Sequence, residues 1–535
     1  MRARAESLAG TARLLRLALR RDRVRIPAWV VTTSAIVGLS AGSISDLYVT
    51  AEQRLSYARL VRDNAAMIVQ AGPGYGLDDP TTGAILMNEL GVWMFILVAV
   101  LGVMMTTRHT RAEEESARAE LLRSAPVGRH APAVAGLLAV AIAQLALAAA
   151  VAVVLVATGF GGMGAIAFGA ALLAVGMVFA ALSLVTGQVA STARAANGLG
   201  LAVLGVAFVL RAVGDVQAGW LSWASPIHWG QAVRAYAGEQ WLVLALPLAV
   251  CGLLVVAAGS LADRRDFGAG LITQRPGRAE ATRHLAGPIG LAVRLHRGAA
   301  IGWAVGIAAL GAFYGIVADE AEQMLVDNPQ MADYLAGLGG GSIVDAFLAT
   351  GTLVIGLLVG GYLVSAVLRM RTEEAAGRVD PLLATALGRV RWAVSHLLVT
   401  MSAAVALMML GGLAQGVGAA LATGDGALVG RVLGGAVAMA PAPMVLGAAA
   451  FLVCSAAPRW AMAAWALFVA SAAIGLLAEA LGLPGWLTNV SPYRHIPAMP
   501  AVPLRVLPLV VLVLVAAVAA AAGCAAMRRR DVGRA

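Results

Sequence analysis

Two stretches of this chain carry acids and arginines at the same spacing. Residues 111–129 read RAEEESARAELLRSAPVGR, and residues 371–389 read RTEEAAGRVDPLLATALGR. The charged matches are Arg111 with Arg371, Glu113 with Glu373, Glu114 with Glu374, Arg118 with Arg378, Glu120 with Asp380, and Arg129 with Arg389. The chemistry such a set performs is recognition. Mixed charges at fixed spacing set register and partner choice at an interface. A loop that only oriented the chain in a membrane would keep its arginines but would have no reason to repeat its acids, which contribute little to orientation. Two equivalent surfaces suit two equivalent partner subunits. The spacing predicts a short helix from Arg111 to Ser124, with Glu114 and Arg118 at i,i+4 and Pro126 as its stop. The second stretch opens similarly from Arg371 to Val379, with Pro381 further in.

Other chemistries are poorly supplied. The chain contains no lysine, so all 39 basic residues are arginine. The phosphate-cradling loop of nucleotide hydrolases needs a lysine, so any ATP consumed is hydrolysed on another subunit. Cys251, Cys454 and Cys524 lie in separate apolar runs with no paired spacing. His109 and His130 share a charged loop, but no ligand pattern surrounds them, and no metal site or catalytic residue is assigned. No chain of acids and histidines runs through the apolar segments, which argues against proton coupling.

The elements that position the charged stretches are membrane helices. Of the 535 residues, 60% are hydrophobic and 13% charged, and the mean hydropathy is +0.83. Soluble domains carry about a quarter charged residues, so this is an all-α polytopic membrane protein. Apolar segments recur at 27–46, 90–107, 131–158, 164–187, 197–214 and 241–261. A second set lies at 299–317, 348–368, 392–421, 429–455, 460–481 and 505–526. Each is near the ~20 residues that a crossing requires, giving about twelve transmembrane helices, six in each half. Arginines crowd 1–25, 108–129, 264–297, 369–391 and 528–534, while the intervening loops 47–87 and 318–347 are acidic or mixed. The positive-inside rule then places both termini in the cytoplasm and the chain in the bacterial plasma membrane.

Further landmarks repeat. GWLSWASP at 219–226 matches GWLTNVSP at 485–492, and Arg265-Asp266-Phe267-Gly268 matches Arg530-Asp531-Val532-Gly533. An even number of crossings per repeat makes the halves parallel. The expected parts are an interfacial helix at 1–25, a first half at 26–261, a cytoplasmic linker at 262–298, a second half at 299–527 and a tail at 528–535. In the first part, Leu8, Ala12, Leu15 and Leu19 form an apolar stripe, and Arg13, Arg16, Arg20 and Arg23 form a basic one beside it. Trp220, Trp223, Trp229 and Trp486 are expected at headgroup depth, with Pro226 and Pro492 breaking an outer hairpin that acts as a belt or as a lid over the exit. Arg211 and Glu479, near the outer ends of two segments, either pair or reach out to the interface. Gln144 and Gln188 read as interhelical hydrogen-bonding groups, and Gly356 with Gly360 as a packing contact.

At this point the chain resembles the permease subunits of type-two ABC exporters, and within them the fused, double-length actinobacterial permeases described as exporters of polyketide antibiotics, the tetronasin type. The resemblance covers essentially the whole chain. It is carried by the pattern E-E-x-x-x-R-x-[ED]-x-L-x-x-x-x-x-G-R after the second crossing of each half, by six crossings per half and by the basic N-terminal helix. It implies that each charged stretch is a coupling helix seated in a groove of a separate ATPase dimer, which uses ATP and Mg. It also implies that a lipophilic compound moves outward, and that this chain itself binds no cofactor. No nucleic acid is expected as a partner. The second copy departs from the first at Pro381, and at Ala386 where the first has Pro126, so the two docking sites need not be equal. Two other readings remain open on the residues alone: a secondary transporter with six-plus-six parallel repeats, and a non-transporting membrane scaffold.

Overall fold

The computed structural model describes residues 7–530, apart from 63–64, 117–125, 218, 267, 273–279, 281, 283–284, 286, 320–341 and 478–483. Every regular element among the described residues is helical. The chain divides into two compact units, Met1–Pro276 and Gly277–Ala535, and the division falls inside the stretch 262–298.

The first unit begins with α1 (Thr11–Arg21) and continues with α2 (Arg25–Leu47), α3 (Thr82–His109), α4 (Ala131–Ala157), α5 (Gly162–Val189), α6 (Ala193–Val216) and α7 (Ala245–Asp263). The second holds α8 (Pro288–Ile316), α9 (Ile343–Ala375), α10 (Arg389–Thr423), α11 (Ala427–Met439), α12 (Pro441–Ala456), α13 (Ala463–Leu477) and α14 (Val506–Arg529). Pro441, which has no N–H to donate, marks the junction at which α11 and α12 form one apolar span, Ala427–Ala456. Helix starts follow the sequence. Thr81 caps α3 by accepting from the Ala84 N–H at 3.1 Å, and Thr192 caps α6 by accepting from the Ala195 N–H at 3.2 Å.

Eleven helices among the described residues are long and apolar enough to cross a membrane. The expected twelfth is α13, whose 15 residues rise only about 22 Å at 1.5 Å each, short of the ~30 Å hydrocarbon core. The residues that follow it, 478–483, lie outside the description.

Both units repeat one packing order. In the first, α2 packs on α4, α3 on α5, and α5 on α7. In the second, α8 packs on α10, α9 on α12, and α12 on α14. First meets third, second meets fourth and fourth meets sixth. Close approach depends on glycine. A Cβ on Gly102 would lie 2.5 Å from the Gly176 carbonyl oxygen between α3 and α5, and one on Gly311 would lie 2.4 Å from the Gly411 carbonyl between α8 and α10. Only a residue with no side chain lets these backbones touch.

The last helix of each unit is held loosely. Within its apolar window, α7 is 11% buried and α14 17%, against 67% for the α3 span and 72% for the α9 span. Leu253 and Val256 on α7, and Leu507 and Val518 on α14, point outward uncovered, as lipid-facing side chains do.

α1 packs on α4 with Ala18 buried and Leu15 and Leu19 of its apolar stripe half-buried.

Candidate functional site

The arginine-rich end of each unit carries the repeated charged stretch, and the structure joins that stretch to the end of the unit's last helix. In the first unit a short turn, Arg111–Glu114, extends α3. Arg265 Nη2 donates to both Glu114 oxygens, at 2.7 and 2.8 Å. The Arg265 Nε donates to Gln188 Oε1 at the end of α5. In the second unit Arg530 Nη2 donates to Glu374 Oε2 at 2.5 Å, and its Nη1 donates to the Cys454 carbonyl at the end of α12 at 2.8 Å. One arginine after the last helix therefore ties the charged stretch to the fourth span in each unit. Charge-assisted pairs of this kind are about twice as strong as neutral hydrogen bonds.

Arg111 is fully buried. Its guanidinium donates to the carbonyls of Ser191 at 2.6 Å, Gly268 at 2.7 Å and Ala269 at 3.0 Å, and to Glu114 at 2.8 Å. That cage requires the chain to double back after α7. Gly268 turns with φ 78°, and the N–H groups of Leu271 and Ile272 then donate to the carbonyls of Gln188 and Val189. Its counterpart Arg371 is half-buried and stands 3.6 Å from Glu374.

The remaining predicted residues are placed as follows. Glu113 meets Arg21 of α1 at 2.6 Å. Glu115, which the sequence did not single out, accepts from the Ala193 N–H at the start of α6. Arg129 donates to the Ala262 carbonyl at 2.7 Å and lies 3.5 Å from Asp263. Glu373 is buried, with Arg378 at 3.1 Å and Arg369 at 3.5 Å. Arg389 donates to the Arg530 carbonyl at 2.7 Å. Asp380 opens a four-residue helix, Asp380–Leu383, and both it and Arg378 are exposed. Arg118 and Glu120, with the expected Glu114–Arg118 pair, lie outside the described residues.

Two expectations about local structure change. The second stretch does not open as a separate helix, because Arg371, Glu373 and Glu374 form the last turns of α9, which runs unbroken to Ala375. The carboxylates at 114 and 374 also point inward to arginines of their own unit. Exposed side chains on the second stretch include Arg378, Asp380, Pro381 and Thr385, while Val379 is buried in an apolar cluster with Trp392 and Phe451.

α1 is tied to the same region. Asp22, fully buried, meets His109 at 2.7 Å and Arg108 at 3.2 Å. The chain before α1 pairs with residues 128–130, where Gly128 N–H donates to Ala9 and His130 N–H to Ser7. Sequence reasoning marked Arg265 and Arg530 only as landmarks and did not single out Asp22. Their partners lie far away in sequence, and a single chain without tertiary information gives no sign of such pairs.

At the opposite end, Arg211 is wholly buried and does not reach outward. It donates to the Ile68 and Val69 carbonyls, and lies 3.5 Å from Asp215 one turn on. The expectation of snorkelling fails because the segment Ala65–Ala71 folds over it and presents its last carbonyls; Glu479 lies outside the described residues. Asp215 also accepts from the Ser222 hydroxyl at 2.7 Å and approaches His228 at 3.2 Å. Beside them is an open pocket of about 310 Å³ lined by Tyr75, Asp215, Ser222, Trp223 and His228 among others.

Trp220 and Trp486 are 77% and 74% exposed, and Trp223 is about half exposed. Trp229 is instead buried and donates from its indole to the Trp223 carbonyl at 2.7 Å. Pro226 and Pro492 each begin a short helical turn, Pro226–Ala232 and Pro492–His495, which suits a residue with fixed φ and no N–H. Tyr493, next to Pro492, packs against Gly360 and donates to the Gly356 carbonyl at 3.2 Å. Those two glycines therefore receive an aromatic side chain from the outer turn. Gln144 donates to the Val98 carbonyl at 2.9 Å, bridging α4 to α3.

Eleven membrane-length helices among the described residues, in two units of matching packing order, each closed by an acid–arginine tie at its basic end, define a multi-pass membrane protein. The family described as the multidrug efflux system permease Rv1217c, C-terminal domain, matches residues 285–528. Over nearly its whole length the chain is similar to the multidrug efflux system permease protein Rv1217c of Mycobacterium tuberculosis (strain ATCC 25618 / H37Rv), at 38% identity over 536 residues, covering 99% of this chain and 96% of the relative. The chain belongs to this family of efflux permeases.

Proposed function

We propose that this chain is the membrane subunit of an ATP-driven exporter of the type-two ABC class, related to the tetronasin-type exporters, and that it moves lipophilic, drug-like compounds out of the cell. A separate ATPase dimer docks on the two repeated charged stretches, which lie on the cytoplasmic side together with both termini. ATP and Mg are used by that partner. The observation that carries the reading is the duplication of a mixed-charge stretch in an otherwise apolar chain, in each unit after the second span. The name of the relative supports efflux of several drugs. In this reading the outer aromatic turns around Trp220, Trp223, Pro226, Trp486 and Pro492 cover the exit, and the pocket beside Asp215 belongs to that vestibule.

The test is co-purification. The permease and a candidate ATPase from the same organism are expressed together, with and without reversal of the exposed charge, Asp380→Arg. The reading expects a stable complex that the reversed chain binds at least about tenfold more weakly, as loss of close complementary charges does. Transport of a lipophilic dye in cells lacking any such ATPase would contradict it.

A further inference from the structure

We infer that Arg265 and Arg530 are positioning residues that convey movement of the two charged stretches to the last helix of each unit. The inference rests on the exporter reading above and deepens it. An ATPase pressing on the exposed face of a charged stretch meets a segment already gripped from inside. In the first unit, the Arg265 guanidinium holds Glu114 near the front of the stretch, and Arg129 at its far end holds the Ala262 carbonyl of α7. In the second, Arg530 holds Glu374, and Arg389 at the far end holds the Arg530 carbonyl. Both ends of each stretch are thus attached to one place, the basic terminus of the unit's last helix.

That helix is the element best able to respond. α7, at 11%, is the least buried span of the first unit, and α14, at 17%, shares the lowest value of the second with α8; the outward faces of α7 and α14 are aliphatic. A helix packed mainly on one neighbour, α5 for α7 and α12 for α14, and facing lipid on its other side tilts as a rod when its end is displaced, whereas α3 and α9, packed over most of their surface, do not. The same two arginines also contact the ends of α5 and α12, at Gln188 and the Cys454 carbonyl, which gives each lever a fulcrum at the fourth span. Two copies built from separate parts of one chain, each joining the same three elements, make an incidental surface ion pair a poor explanation. The planar guanidinium fork matters as well, since its separate nitrogens reach two partners in fixed directions, Glu114 and Gln188 in the first unit and Glu374 and the Cys454 carbonyl in the second, which a lysine ammonium does not do.

The experiment uses the full chain with its co-expressed ATPase in proteoliposomes. Arg265→Lys and Arg530→Lys keep the charge and remove the fork. The ATPase is expected to remain bound, while the increase in ATP hydrolysis caused by a lipophilic dye falls at least about fivefold, the lower end of ordinary site-to-site coupling. A second arm restores the link covalently. In a chain with Cys251, Cys454 and Cys524 replaced by alanine, Glu114→Cys/Arg265→Cys and Glu374→Cys/Arg530→Cys are bridged by bifunctional thiol reagents of graded length. Bridging is expected to return most of the dye-stimulated hydrolysis, a recovery that a purely stabilising ion pair would not produce. Full stimulation in both lysine variants would overturn the inference. So would lost stimulation that no bridge of any length restores, when mass spectrometry shows the bridge formed and the ATPase bound. Failure of the unsubstituted chain to bind any ATPase would instead overturn the exporter reading, and the inference with it.

Discussion

The carboxylate of Glu114 takes two hydrogen bonds from one nitrogen of Arg265, at 2.7 and 2.8 Å, across a sequence separation of 151. Arg265 is nearly buried and Glu114 mostly so. Removing one partner of such a pair leaves an uncompensated charge in a low-dielectric site, which costs about 3–5 kcal/mol for fully buried pairs. The residual exposure of Glu114 places the expected loss near the lower end. Arg265→Ala should therefore lower the thermal midpoint of the detergent-solubilised protein clearly. Glu114→Ala/Arg265→Ala together should cost less than the sum of the two single changes, and a thermal double-mutant cycle measures the difference.

The contact of α3 with α5 depends on the missing side chain of Gly102. Gly102→Val places its Cβ about where the Gly176 carbonyl already stands, 2.5 Å away. Neither backbone can yield without separating the helices, so the cost exceeds the ~1–3 kcal/mol typical of overpacking. The expected outcome is loss of folded protein in size-exclusion chromatography, while Gly159→Val, at a position with open space but positive φ, should remain monodisperse with a modest loss of stability.

Arg211 and Asp215 form the one buried charge cluster described at the outer end of the first unit. Arg211→Ala strands Asp215 and two carbonyls, and is expected to destabilise the protein by about 3 kcal/mol or more. Arg211→Met/Asp215→Leu, which removes both charges and roughly keeps the volume, should recover much of that loss, because a buried ion pair can often be replaced by apolar side chains without net cost. Chemical denaturation of the three forms distinguishes them. Equal stability of Arg211→Ala and the parent would refute the role assigned to the pair.

Reversal of the exposed charge at Asp380 should leave stability within about 0.5 kcal/mol of the parent, as surface substitutions do, while weakening ATPase binding. Reversal at Glu374 should do the opposite and damage folding first, because that carboxylate faces Arg530. Comparing complex yield with melting temperature in the same preparations separates docking from folding.

Much of the fold was legible because lipid imposes one rule on every crossing. The apolar run 131–158 became Ala131–Ala157, and 241–261 became Trp241–Asp263. Lengths were underestimated where a span continues into charged residues, as α9 does through Glu374, since hydropathy ends before the hydrogen bonds do. The repeated charged stretch was legible as a pattern, and so were the tags at 265–268 and 530–533. That tag and stretch meet was not legible, because the contact is made by tertiary packing between elements about 150 residues apart. Arg211 was misread for a related reason. Its position near a span end suggests escape to the interface, and only the fold of 65–71 shows what covers it.

The central claim is that both charged stretches receive an ATPase. Photo-crosslinking tests it most directly, with a benzophenone amino acid placed singly at Ser116 and at Asp380 in the full chain, in membranes containing the co-expressed ATPase. The account predicts that both positions yield an adduct with the ATPase, and that a probe at Trp220 on the opposite end yields none. Adducts at Ser116 and Asp380 with lipid or water alone, while the ATPase is present and active, would contradict it.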